Sequence, residues 1–191
     1  MGGGARPAPR LATPSGEARV SFLEALAECH AEGRHLEHPA ELLSDPDEFA
    51  RYVAALRAGV ERPGEPDFYL AELRGEAPPA PYPDGYVPQS VYWWLAGEEF
   101  LGRLSIRHRL TPHLLEEGGN IGFEVRPSSR RMGHATAMLA AALPLAAALG
   151  IDPARLDCDE DNPASRRVIE KNGGRLDHRG GGSLYFLVPT R

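Results

Sequence analysis

The chain has only two cysteines in 191 residues, Cys29 and Cys158. Two thiols cannot build a disulfide framework, and no metal-type spacing joins them. Long apolar runs are missing too. The longest, Met138–Leu149, contains Pro144 and falls short of the roughly 20 residues that span a bilayer. The opening MGGGARPAPR lacks the apolar stretch of a secretory signal. Excess positive charge is absent: the net charge is −6 and the pI about 5.7. That balance argues against a broad surface for nucleic acid. Lys171 is the only lysine among 21 basic residues, which reads as a coding bias. These absences predict a soluble cytoplasmic protein with no membrane or nucleic-acid partner.

What is present is ordinary for a folded domain. Apolar residues make up 42% and charged residues 25%, which excludes wholesale disorder and a coiled coil. The length predicts one domain able to hide about 70% of its unfolded surface. Residues 1–16, rich in Gly, Pro and Ala, read as a flexible tail, with a single domain over 17–191, as monomer or homodimer.

Phe22, Leu23, Leu26 and Ala27 recur at helical spacing and end near Gly33. A second helix fits Pro46–Ala58, with Asp45 as cap and Phe49, Tyr52, Val53 and Leu56 as its buried stripe. Phe68–Leu73 reads as a strand. Val91–Ala96 and Phe100–Ile106 form a hairpin about Gly97, and Asn120–Val125 is a further strand. A helix from about Gly133 ends at Gly150, with a kink or a broken last turn expected at Pro144. A strand at Arg155–Cys158, a helix at Pro163–Asn172 and a hairpin over Arg175–Val188 complete a mixed α/β pattern.

The most informative stretch is Ile121–Leu139, IGFEVRPSSRRMGHATAML. A strand runs into a tight turn and then a helix that begins around Arg130, Arg131, Met132, Gly133, His134, Ala135 and Thr136. A helix start has unpaired N–H groups and a partial positive charge. Small residues there let an anion approach the backbone, so the turn suits a pyrophosphate. A helix start that holds Gly by chance, with solvated arginines, is the competing reading.

Arg130-x-x-Gly133-x-Ala135 after a strand resembles the coenzyme A signature of the GNAT acetyltransferase superfamily. The segment Asp161–Gly174, DNPASRRVIEKNGG, resembles its second block, in the expected order. The likeness covers about residues 90–188, and the earlier helices resemble a bacterial branch of predicted acetyltransferases. It implies a GNAT-like mixed, splayed central β-sheet flanked by helices. It also implies acetyl-CoA as cosubstrate, with the pantetheine arm between the strands at 120–125 and 155–158. Backbone groups of Phe123 and Val125 would pair with that arm. Asn162 matches a position that touches the pantetheine, and it equally suits a helix N-cap.

The implied activity is N-acetylation of a primary amine by direct attack in a ternary complex. The acceptor is a small-molecule or peptide amine, the former preferred. The rival is a non-catalytic CoA-binding or regulatory module. Glu124 is the expected general base, against a structural salt bridge, with Asp159 and Glu160 as further choices. The superfamily's tyrosine acid, seven residues after the Asn, is replaced here by Ile169. Tyr185 could substitute, against a packing role. Tyr92, Trp93 and Trp94 either shape an acceptor pocket or pack. Arg107, His108 and His113 fall where acceptor contacts are expected. His30, His35 and His38 cluster without clear ligand geometry, so no metal is expected.

Overall fold

The computed structural model describes residues 7–80 and 84–191. Helices lead the chain. α1 spans Arg19–Ala31, α2 Ala40–Leu43, α3 Pro46–Ala58 and α4 Glu65–Leu73. α3 starts as its sequence predicts. The Asp45 carboxylate accepts from the amides of Asp47 (2.9 Å) and Glu48 (3.1 Å), and Pro46 occupies the first turn. It buries Phe49, Tyr52, Val53, Ala55 and Leu56.

Two expectations fail in this half. Phe68–Leu73 belongs to helix α4, not to a strand. Gly64, left-handed at φ 86°, and Pro66 in the first turn set the helix going, and Pro66, Leu70 and Ala71 bury one face. The Phe-Tyr-Leu run has high strand propensity, but tertiary packing overrides so short a window. Within the expected tail, Arg10–Ala12 forms strand β1, paired antiparallel with 93–95. The tail's residues 1–6 lie outside the described residues.

Four strands form one sheet in the order β1-β2-β3-β4, with β2 at Gln89–Ala96, β3 at Glu99–Arg107 and β4 at Ile121–Val125. A short helix, α5 (Pro112–Glu116), lies between β3 and β4. Helix α6, His134–Ala148, continues through Pro144 without a break. The single hydrogen bond that proline removes is outweighed by burial of Met138, Leu139, Ala142 and Ala146. After it come β5 (Ala154–Asp159), α7 (Pro163–Lys171), β6 (Arg175–Gly180) and β7 (Ser183–Val188). The last three strands form a second sheet, β5-β7-β6.

The four-stranded sheet has a core on each face. On one, Leu104, Ile121 and Val125 pack with Met138 and Leu139 of α6 and with Leu156 and Phe186 of the second sheet. On the other, Trp93 and Phe100 pack with Phe22 of α1 and Phe49 and Tyr52 of α3. The Phe22 and Trp93 rings stack at 5.2 Å. Burying each such ring is worth about 1.5–3 kcal/mol.

The two sheets are hydrogen-bonded to each other where β4 and β5 begin. Buried Asn120 donates its amide to the Arg155 carbonyl (2.6 Å), and its side-chain oxygen accepts from the Arg155 amide (2.9 Å). Its Nδ2 donates to the Arg107 carbonyl at 3.3 Å. Gly119 precedes it at φ 54°, and a Cβ there would sit 2.4 Å from the Arg155 carbonyl oxygen. Only glycine allows that approach. Beyond this junction the strands diverge, and among the described residues β4 has no strand partner on its β5 side. This is the splayed sheet the resemblance implied.

Candidate functional site

The wedge between β4 and β5 opens into a cleft of about 860 Å³, lined by β4, the turn before α6, and the start of α7. Gly133 is the N-cap of α6, at φ 87° and ψ −3°, and no side chain caps the helix. The first amides of α6 are therefore left to a ligand or to water. A Cβ at Gly133 would meet nothing within 4 Å, so the space in front of the turn is open. Gly133, His134, Ala135 and Thr136 all line the cleft, as do Arg130, Arg131 and Asn162. Met132 points outward, 64% exposed.

The turn is held from behind. Trp94 Nε1 donates to His134 Nδ1 (3.3 Å), so the His134 ring anchors the turn and leaves its amide to face the cleft. Arg130 does not aim at an anion. Its guanidinium makes a bidentate pair with Glu32 (2.9 and 2.8 Å). Arg131, at φ 64°, is exposed and remains as the turn's own cation. Asn162 caps α7 by accepting from the Ser165 amide (3.0 Å), and it lines the cleft as well, so both of its expected roles stay compatible.

The β4 edge offers backbone groups. The Arg107 amide bonds the Asn120 carbonyl and the Arg126 amide bonds the Leu101 carbonyl, so the even residues of β4 serve β3. Alternation turns the N–H and C=O groups of Phe123 and Val125 toward the cleft.

Side chains alternate too, and Glu124 points to the α1 face of the sheet. There it pairs with the Arg34 guanidinium, and its Oε2 lies 2.5 Å from His35 Nε2. Glu124 borders both the cleft and a small cavity of about 30 Å³ that also touches Cys29, His35, His38, Arg103 and Arg126. Nearby, buried Arg126 bonds Glu28, the Ser21 hydroxyl and the Phe100 carbonyl, tying α1 to the end of β4. Burial works to raise the Glu28 carboxyl, yet the bonds from Arg126 and Ser128 hold it below its usual range. Glu32 joins Arg130 to Arg34, so a chain of charges runs from the turn to Glu124.

Sequence reasoning singled out His30, His35 and His38 only as a weak metal cluster. The structure sets His30 apart and keeps His35 and His38 together around Glu37. His30 bonds the His35 carbonyl (2.9 Å), whereas His35 and His38 flank Glu37 and reach toward Glu124 and Tyr52. Arg34, Glu37, Arg103 and Arg126 were missed altogether, because no local spacing links α1 to β4.

Several expected residues lie elsewhere. Tyr185 donates its hydroxyl to the Glu116 carbonyl (2.5 Å) and stacks on His178 at 4.3 Å, outside the cleft lining. Ile169 is fully buried in the core. Asp159 and Glu160 are exposed and border neither the cleft nor the small cavity. Arg107 holds the Gly118 and Gly119 carbonyls, and His108 bonds Ser90, four and five residues beyond Arg103, the β3 residue that faces Glu124. His113 sits in α5, in neither lining. Trp93 and Trp94 are buried in the two cores and Tyr92 packs against one of them. Cys158 is buried on β5, as expected of a strand residue.

A divided sheet whose cleft faces an uncapped helix start is the architecture of acyl-CoA-dependent transferases. Residues 29–175 match the acetyltransferase (GNAT) domain model, and the chain belongs to that family. No curated protein matches the chain in sequence. Among solved structures it is similar to RimJ of Mycobacterium smegmatis in complex with CoA-disulfide, at 18% identity and TM-score 0.57, over 94% of this chain and 80% of that one. It is similar to RimL, the ribosomal L7/L12 alpha-N-protein acetyltransferase, at 16% identity and TM-score 0.54, over 97% and 91%. The microcin C7 self-immunity acetyltransferase MccE, in complex with acetyl-CoA and AMP, is similar at 9% identity and TM-score 0.55, over 97% and 93%. At these identities the likeness is one of fold. Among the described residues, no helix is long and apolar enough to cross a membrane.

Proposed function

We propose that the protein transfers an acetyl group from acetyl-CoA to a primary amine by direct attack in a ternary complex. The observation that carries this is one cleft with an uncapped helix start at one end and Glu124 at the other. The cosubstrate fits what the chain provides. The uncapped α6 start and Arg131 suit a pyrophosphate, and the β4 edge suits an extended amide-bearing arm. RimJ and MccE were solved with CoA and acetyl-CoA respectively, which supports the same cosubstrate here.

Each reacting partner then has a role-bearing group. The Val125 amide, facing the cleft, is the donor for the carbonyl oxygen as charge develops on it. Glu124 takes the proton that the amine loses. No side-chain acid is needed for the thiol, because a thiolate is a weaker base than an amine anion or alkoxide and leaves unprotonated. A small-molecule amine is the preferred acceptor, because the space beside Glu124 is narrow and enclosed by α1.

The rival reading, a CoA-binding module without turnover, draws on Arg34 covering Glu124 and on the core position of Ile169. Thiol release from acetyl-CoA across an amine panel tests the proposal. Acceptor-dependent release supports it. CoA binding by calorimetry with no acceptor-dependent release selects the module.

A further inference from the structure

We propose that His35 and Glu37 form a proton path from Glu124 to solvent, with His38 and Tyr52 fixing its outer carboxylate. The proposal rests on the reading of Glu124 as the base. A general base on an enclosed carboxylate must return its proton to water each turnover, and the Glu124 side chain is only 24% exposed.

The groups are in line. His35 Nε2 lies 2.5 Å from Glu124 Oε2, and its Nδ1 lies 3.3 Å from Glu37 Oε1. The Glu37 carboxylate is 55% exposed, so the line ends in water. From the buried side, His38 Nδ1 bonds the same Glu37 oxygen (3.1 Å) and its Nε2 bonds the Tyr52 hydroxyl (3.0 Å). His35 itself is pinned. Its carbonyl accepts from the His38 amide (3.0 Å) and from the His30 ring (2.9 Å), and its backbone sits at φ 56°. His35 is one of two non-glycine residues at positive φ among the described residues, the other being Arg131 in the turn before α6. Such backbone costs about 1 kcal/mol or more and persists where surrounding contacts impose it.

A ring between two carboxylates is a two-way proton acceptor. A neutral imidazole has one N–H and can serve one of them, whereas the imidazolium serves both. The charged groups facing His35 are Glu124 on β4, Arg103 on β3, and Arg34, Glu37 and His38 on its own loop. Burial, followed by the charge on Arg103, holds the His35 pKa below its usual value, against the pull of Glu37. Burial and the Arg103 charge both push toward the neutral ring. In the tautomer with its N–H on Nδ1, that ring takes at Nε2 the proton Glu124 has accepted, its Nδ1 proton passes to Glu37, and water removes it. One proton enters and one leaves, and no other bond changes. The ring, 26% exposed, resets its tautomer by exchange with water.

His35→Gly removes the ring while suiting the positive φ, so the fold is kept. With acetyl-CoA and the fastest amine of the thiol-release panel, kcat should fall at least about 10-fold while CoA affinity holds. Added imidazole should restore it, which a structural role would not allow. In the free protein, nitrogen-15 NMR of the His35 ring should show its titration midpoint fall by about one unit or more in both Glu37→Gln and Glu124→Gln. A midpoint that ignores either carboxylate breaks the path, with or without turnover. A wild-type kcat in His35→Gly, or a loss that imidazole does not restore, overturns the relay. If Glu124→Gln keeps full rate, the base reading fails first. If that variant is slow and His35→Gly is not, only the relay fails.

Discussion

At the α6 end of the cleft, the groups facing a ligand belong to the main chain: a helix start that no side chain caps, with open space before Gly133. At the Glu124 end they belong to side chains: Glu124 pairs with Arg34 and with His35, and Glu124 and His35 border a cavity with room for about one or two waters. The main-chain end is rigid and tolerant of side-chain change. The side-chain end depends on specific residues, and its charges already have partners. One end suits a ligand of fixed chemistry, and the other suits chemistry that must change protonation within a turnover.

The largest effect should come from the side-chain end. Glu124→Gln keeps shape and removes charge, so acceptor-dependent kcat/KM should drop about 10²–10⁴-fold with CoA affinity nearly constant. Near wild-type rates across pH 6–9 would leave Glu124 a structural ion pair.

The main-chain end breaks only when the backbone or its approach is altered. Gly133→Glu puts a β-carbon at φ 87° and a negative charge before the amides. CoA binding should weaken about 30- to 150-fold, or about 2–3 kcal/mol, by calorimetry. Arg131→Ala should cost less than about 10-fold and reduce the salt dependence of binding. An equal loss in both variants would contradict a backbone-built site.

Acid should unsettle the side-chain end first. Burial holds the His38 pKa below its usual value, as it does for His35. Above about pH 6.5 both folded and unfolded chains carry it neutral. As pH falls below that, the unfolded chain takes up a proton that the fold resists. Stability then falls, by at most about 1.4 kcal/mol per pH unit for each histidine. Thermal melts from pH 7.5 to 5 should show a steeper decline for wild type than for His38→Gln. Identical slopes would place the sensitivity elsewhere.

The smallest effect belongs to Tyr185→Phe. It loses one hydroxyl bond to the Glu116 carbonyl, worth about 0.5–1.5 kcal/mol, with the rate changed no more than a few fold. A kcat loss of about 100-fold would make Tyr185 the acid and join it to the catalytic end.

The same contrast explains what the sequence could tell. The shape of the Gly133 turn was legible because backbone conformation makes it, which a short ordered pattern of small residues encodes. The β2–β3 hairpin, α3 and the last hairpin were legible because caps, turn residues and apolar spacing agreed locally. Glu124 could be placed on a strand, but not its partners, since Arg34 and His35 come from a loop some 90 residues earlier in the chain. α4 was misread because six residues rich in aromatic and aliphatic side chains carry no period long enough to distinguish helix from strand. Ile169 was judged by its distance from a motif and Tyr185 by its place on the last strand, whereas their surroundings follow from which face of a strand or helix meets the core.

Asn120 gives the molecule a pivot. One buried side chain supplies the rung that a continuous sheet would have made from backbone, and it sits at the narrow end of the wedge. A five-residue strand is a lever about 16 Å long, so each degree of rotation at that pivot moves the far tip of β4 by about 0.3 Å. The far tip is where Glu124 and Val125 stand. A residue that touches neither ligand thereby sets the gauge of the slot between the two sheets, and trimming it to alanine would loosen that gauge most where a fraction of an ångström matters most.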